Sequence, residues 1–208
     1  MGNVFNLDSI RIIKQKIGTL INDGKLDEAI YNGIKVVNSS DYNLIKTEDK
    51  GVLCFKIAYA YKKSNRCEEA ILFLNDALKY SNKAGDKDHY NRSLWLKNNC
   101  EIELGIDDRE TIINNFVEIR DYYYGINKKI TSSIIGFTMA YYDKSIVDMM
   151  MYFRKIVEVR KIDITVEPNY DISSTVIDMI KEMKEVDESI CEEAETYLKN
   201  LNLKCACI

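Results

Sequence analysis

One stretch, Gly51–Ala84, constrains the fold more than any other part of the chain. Large apolar residues recur in it with helical spacing, and small residues stand among them at Ala58, Ala70 and Ala77. Apolar residues at this spacing predict helices, and the small residues among them would let helix backbones approach closely.

The same pattern recurs along the chain. Ala29 and Ala70 are 41 residues apart, and a further step of 41 reaches Thr111, where the small residue has been lost. A fourth pair is predicted at 130–142 and 145–159, joined by Asp143 and Lys144. The chain contains one Pro and nine Gly, and this scarcity favours long uninterrupted helices. The sequence therefore predicts an all-α protein built from repeated helix pairs.

The best stretch resembles a tetratricopeptide repeat (TPR). The matching positions are Ile57, Ala58, Tyr61, Ala70, Leu74 and Ala77. It departs from the family at Cys54, where a large residue such as Trp is usual, and at Asn82, where Pro is usual. In the third copy, Trp95 falls at the position where the family often has Trp. The resemblance implies a right-handed stack of antiparallel helix pairs, an α-solenoid.

The chain shows no Gly-Ser or Pro-rich linker, so we expect residues 1–208 to form one TPR-like domain. The longest irregular stretch is 161–170, which includes Pro168. Two further helices are predicted after it, at 173–184 and 187–201.

Composition argues against several classes of function. The net charge is −4, whereas proteins that grip nucleic acid are usually basic, so we expect no direct nucleic-acid binding. No run of 18 apolar residues and no secretory signal are seen, which predicts no membrane span and a cytoplasmic protein. His89 is the only histidine, and no phosphate loop or nucleophile motif is present. We therefore expect no catalysis, no cofactor and no metal.

The TPR resemblance implies a non-catalytic protein that holds a peptide or protein segment in a concave groove, in signalling or regulation. The degenerate repeats of about 40 residues also resemble peptide-sensing TPR regulators of Gram-positive bacteria, although the DNA-binding helix-turn-helix of that group is missing. Those receptors use groove asparagines, whose side chains can both donate to and accept from a peptide backbone. Tyrosines add a large contact area with a polar tip. The candidate binding residues are Asn98, Asn99, Asn114, Asn115, Tyr122, Tyr141 and Tyr142.

Other interpretations stay open. The asparagines could reflect a composition rich in Asn, Ile, Lys and Tyr, and the tyrosines could fill a core. Three successive tyrosines, 122–124, cannot all face one core, so at least one should be exposed. The chain could instead be a structural adaptor that self-associates as a homodimer, or a thiol or metal protein that uses Cys191, Cys205 and Cys207.

Overall fold

A computed structural model describes residues 7–106 and 108–162, together with residues 192 and 196. The helices predicted at 173–184 and 187–201 and the stretch around Pro168 lie outside the described residues, apart from those two positions. Within the described ranges the chain is helical and has no strand. None of the helices described there is long and apolar enough to span a membrane.

The described ranges contain eight α-helices and one short 3₁₀ helix, Ser40–Leu44. Their bounds agree with the sequence prediction to within a few residues, except that the fourth helix extends about one turn further than expected. The helices are α1 Leu7–Asn22, α2 Leu26–Val37, α3 Thr47–Lys63, α4 Cys67–Ala84, α5 Lys87–Glu103, α6 Arg109–Gly125, α7 Lys129–Tyr142 and α8 Ile146–Ile162.

The turns inside the four helix pairs of the described ranges share one backbone feature. Each contains a residue with positive φ: Gly24 between α1 and α2, Asn65 between α3 and α4, Gly105 between α5 and α6, and Lys144 between α7 and α8. Glycine and asparagine adopt this left-handed conformation most readily. Gly24 and Asn65 are 41 residues apart, so the turns follow the spacing found in the sequence.

The chain divides into two compact units, Met1–Ile112 and Ile113–Ile208, with the division inside α6. In the first unit α1 packs on α3 and α3 packs on α5, so the first helices of successive pairs form one layer. Helices α2 and α4 pack against them. The prediction of a single domain over 1–208 stays a prediction.

The core of the first unit depends on the small residues of the repeat. Ala29, Ala58 and Ala70 have no exposed surface, and neither do the large neighbours Ile57 and Leu74. Burying one such large side chain stabilises a fold by roughly 1.5–3 kcal/mol. The small residues therefore act by letting helix backbones come close enough for the large ones to interlock.

In the second unit α7 packs against α8. Gly136 makes this contact possible, because a Cβ atom there would lie 2.3 Å from Cε1 of the Tyr152 ring. An Arg120 Nη1 group donates to the Tyr152 hydroxyl at 3.3 Å, and the Ser132 hydroxyl donates to the Arg120 carbonyl at 3.0 Å. These bonds connect α6, α7 and α8 within the unit.

Candidate functional site

Helix α3 carries an outward-facing stripe of aromatic and basic residues, Phe55, Lys56, Tyr59 and Lys63. Phe55, Tyr59 and Lys63 follow one another at steps of four residues, so they lie on one side of the helix. The rest of α3 is used for packing, since Leu53, Ile57, Ala58, Ala60 and Tyr61 are all buried. The stripe is thus one part of α3 that the core leaves accessible.

The two aromatic rings of the stripe form a stacked pair. The Phe55 and Tyr59 ring centroids lie 6.2 Å apart, with 10° between the ring planes. Tyr59 keeps 36% of its surface exposed, whereas Phe55 leans onto the core of the first unit. Partial burial raises the pKa of the Tyr59 hydroxyl, so this tyrosine ionises only at a more alkaline pH than usual. The pair offers a rigid apolar platform with one polar tip.

Two lysines border this platform. The Lys63 ammonium lies 5.6 Å from the centre of the Tyr59 ring, a cation–π distance. Lys56 is half-buried beside Gly18 of α1, where a Cβ atom would come within 2.9 Å of its Nζ. Burial and the neighbouring charge of Lys14 lower the pKa of Lys56.

Positive charge is in local excess where α1 meets α3. Lys14 forms an ion pair with Asp49, but no carboxylate partner is seen for Lys56 or Lys63 among the residues described. A carboxylate placed beside Lys56 would therefore relieve its repulsion from Lys14. The stripe can stack against apolar or aromatic groups and attract acidic ones. It contains no nucleophile paired with a base, and the described part of the chain holds no cluster of three or more metal-ligating residues.

The asparagines predicted for binding occupy different environments. Asn98 on α5 is fully buried, and Asn99 is half-buried. Asn114 on α6 is exposed, and Asn115 is half-buried. The repeat spacing accounts for the burial of Asn98, because adding 41 to Ile57, a core position, gives residue 98. Asn98 has no exposed surface with which to meet a ligand in this structure.

The predicted tyrosines are half-buried. Tyr122 makes an edge-on contact with the buried Tyr123, with the ring centroids 5.2 Å apart, and Tyr141 and Tyr142 end α7. Tyr124 is 68% exposed, which confirms that at least one residue of the triplet faces solvent.

The predicted binding residues do not all fall in one compact unit. The first unit contains Asn98 and Asn99, and the second contains Asn114, Asn115, Tyr122, Tyr141 and Tyr142. Their part in binding stays a prediction. The sequence interpretation missed the α3 stripe, although the four-residue spacing of Phe55, Tyr59 and Lys63 lies inside the best repeat.

Comparison with known proteins supports the fold. No family model and no curated protein matches the sequence. Among solved structures, one from Podosopora anserina described as "kinesin light chain nearly identical TPR-like repeats" superposes with a TM-score of 0.62 at 11% identity, covering 92% of this chain and 96% of that one. A single-substitution variant of the same protein gives a TM-score of 0.63 at 10% identity, covering 93% and 96%.

At such low identity the likeness shows the fold and does not extend to a ligand. The descriptions of these neighbours mention kinesin light chain and TPR-like repeats, so they add no support for the narrower resemblance to peptide-sensing bacterial regulators. The all-α, TPR-like interpretation of the sequence is confirmed. The chain has the fold of TPR-like helical-repeat proteins.

Proposed function

We propose that the protein is a non-catalytic binding protein that holds a peptide or protein segment in a groove of its helical repeats, in signalling or regulation. The observation that carries this proposal is the stripe on α3. Stacked aromatic rings beside two lysines, for which the described residues supply no carboxylate partner, form a surface that suits recognition of another chain. Repeat proteins of this kind commonly present such surfaces on the layer formed by the first helices of their pairs.

Charge complementarity indicates the chemistry of the ligand. Lys56 and Lys63 flank the aromatic pair, so the preferred segment combines an apolar or aromatic side chain with a nearby acidic one. The apolar group would pack on Phe55 and Tyr59 and supply most of the affinity. The acidic group would mainly raise the association rate and set the orientation, because exposed charges contribute little net affinity.

The asparagines and tyrosines predicted from the sequence keep a place in the proposal. Asn114 is exposed and Asn99 and Asn115 are half-buried, so each is proposed to contact a bound backbone within its own unit, and Tyr122, Tyr141 and Tyr142 are proposed to add contact area in the second unit. Asn98 is the weakest candidate because its side chain is fully buried. The α3 stripe is therefore the first surface to test.

The test begins with a displayed library of random peptides selected on the purified full chain. Selected peptides are then synthesised with a fluorophore and titrated against wild-type protein and variants by anisotropy. Tyr59→Ala should weaken binding about tenfold or more, the range expected for loss of a central aromatic contact. The matched control is Tyr31→Ala, which removes an exposed tyrosine from α2, in the other layer. It should change the dissociation constant less than about twofold.

The charge contribution is tested by Lys63→Glu against Lys35→Glu, an exposed lysine on α2. Only the first should weaken binding, and its effect should shrink as salt rises, since screening removes surface electrostatics. The proposal is wrong if no peptide is selected, or if the Tyr31 and Tyr59 variants lose equal affinity.

Self-association is a second candidate function with an observation in its favour. Val147 and Met151 lie four residues apart on α8 and are 81% and 37% exposed. Such an exposed apolar pair can contribute to a homodimer contact. Sedimentation across a hundredfold concentration range separates a dimeric adaptor from a monomeric peptide receptor, and Val147→Lys should abolish any dimer formed through this face.

A further inference from the structure

Two buried thiols lie on neighbouring helices of the first unit. Cys67 is the first residue of α4, and Cys100 lies near the end of α5, 33 positions later in the chain. Both thiols belong to the same buried core cluster, and Cys67 donates to Glu103, which follows Cys100 by three residues on α5. Cys67 retains 6% of its surface and Cys100 none. Two thiols held close together on neighbouring helices can be linked by loss of two hydrogens if the backbones permit the geometry of a disulfide.

Charged neighbours frame the pair. The Cys67 thiol donates to Glu103 Oε2 at 3.2 Å, and the other carboxylate oxygen of Glu103 accepts from Lys62. Lys62 comes from α3, whereas Cys100 and Glu103 come from α5. Cys67 therefore lies where residues of α3, α4 and α5 meet, with the Glu103 carboxylate and the Lys62 ammonium nearby.

We propose that Cys67 and Cys100 are a redox modification site, where a low-molecular-weight disulfide converts the two thiols into a reversible intramolecular disulfide. The thiolate of Cys67, the more exposed residue, attacks one sulfur of the small disulfide and releases one small thiolate. The thiolate of Cys100 then attacks the Cys67 sulfur and releases the second. The protein loses two protons and two electrons, and the small disulfide is reduced to two thiols.

The surroundings keep this reaction slow at neutral pH. Burial raises the pKa of Cys67, and the bond to Glu103 raises it further, while Cys100 and Lys62 act in the opposite direction. Burial raises the pKa of Cys100 to about 12. Only a small fraction of either thiol is then ionised at pH 7, so the rate of oxidation should rise steadily as the pH is raised above 7. The dithiol form is therefore oxidised only slowly at neutral pH.

The disulfide would close a loop that contains nearly all of α4 and α5. A crosslink across a loop of this length restricts the unfolded chain and stabilises the native one. The thermal midpoint of the first unit should rise by roughly 5 °C or more on oxidation.

Peptide mapping tests the link directly in the wild-type full chain. The protein is equilibrated with glutathione disulfide at pH 8, free thiols are alkylated, and trypsin then cuts after Arg66, Lys79, Lys97 and Arg109. We expect peptides 67–79 and 98–109 to appear joined, with a mass two hydrogens below their sum, and to separate on reduction. Cys54, whose thiol lies 3.5 Å from the Tyr42 hydroxyl, is the control. It should stay a free thiol and be recovered in its alkylated form.

A charge variant tests the reaction path. Glu103→Gln removes the carboxylate that opposes ionisation of Cys67, so its pKa should fall. A fall of one pH unit increases the thiolate about tenfold but lowers its nucleophilicity about threefold, for a net acceleration of roughly threefold. Glu101→Gln, on the same helix but paired with Lys97 at 2.9 Å, should leave the rate unchanged.

Two results would overturn the proposal. In the first, Cys67 and Cys100 both remain fully alkylatable after equilibration in native buffer. In the second, each cysteine accumulates its own mixed disulfide with glutathione and the joined peptide never forms. Loss of the preference for this pair in concentrated urea would support the proposal, since only the folded chain holds the two thiols together.

Discussion

Gly33→Ala is the sharpest test of how closely the first unit is packed. A Cβ atom added at Gly33 of α2 would lie 2.4 Å from Cγ1 and 2.8 Å from Cδ1 of Ile57, well inside ordinary contact distance. Ile57 has no exposed surface, so it cannot swing into solvent to make room. The substitution therefore forces a shift within a filled core.

Two opposing effects set the size of the change. Alanine favours a helix interior by about 1 kcal/mol over glycine. Overpacking a filled core costs typically 1–3 kcal/mol, and a clash this deep with a buried β-branched residue belongs in the upper part of that range. We therefore expect Gly33→Ala to lower the free energy of unfolding by about 1–2 kcal/mol.

Urea denaturation, monitored by tryptophan fluorescence, measures the change in the free energy of unfolding of the first unit. Trp95 is the only tryptophan of the chain and lies on α5 in the first unit. With a denaturant slope of about 2 kcal/mol per molar, the midpoint should fall by roughly 0.5–1 M. In an Ile57→Ala background the clash is absent, and Gly33→Ala should instead stabilise the fold by about 1 kcal/mol. An unchanged or higher midpoint in the wild-type background would refute the close-packing argument.

The remaining predictions concern a cap, its ionisation and a turn. Asp86→Ala should lower the free energy of unfolding by about 1 kcal/mol, measured by calorimetry at pH 7. The reason is that the Asp86 carboxylate accepts a hydrogen bond from the His89 backbone N–H at 3.1 Å, at the start of α5. Burial opposes ionisation of Asp86, but its hydrogen bonds to His89 and the charge of His89 outweigh burial and lower the pKa of Asp86. The stabilisation by the cap is therefore fully present above about pH 4. The difference between wild type and Asp86→Ala should therefore shrink as pH falls below about 4, and a constant difference would contradict this. Lys144→Gly should raise the free energy of unfolding by up to about 1 kcal/mol because it relieves a φ of 55°, whereas Lys155→Gly inside α8 should lower it.

Helix positions were readable from the sequence because their signals are local. Apolar spacing and the breaks at Gly24, Gly85 and Gly105 depend on neighbouring residues only, and the structure places helix ends near each of them. The 41-residue spacing was equally visible. It is borne out by the matching turns at Gly24 and Asn65 and by the burial of Ala29 and Ala70.

The candidate site was less readable, because exposure is not a local property. Asn98 and Asn99 are adjacent and chemically alike, yet only Asn98 is fully enclosed. Phe55 and Tyr59 look like ordinary core residues in the sequence, and only the packing of α3 against its neighbours leaves Tyr59 accessible. A polar residue in a core position and an aromatic one on a surface both run against average preference.

The sequence by itself determined that this chain forms helix pairs repeated at a fixed spacing, since helical periodicity, small residues and turn-forming residues act over a few positions. Only the tertiary structure decided which side chains meet. The bond from Cys67 to Glu103, and the exposure of one face of α3, depend on how helices distant in sequence pack together. Close packing fixes such relations because each buried side chain excludes every other from its place.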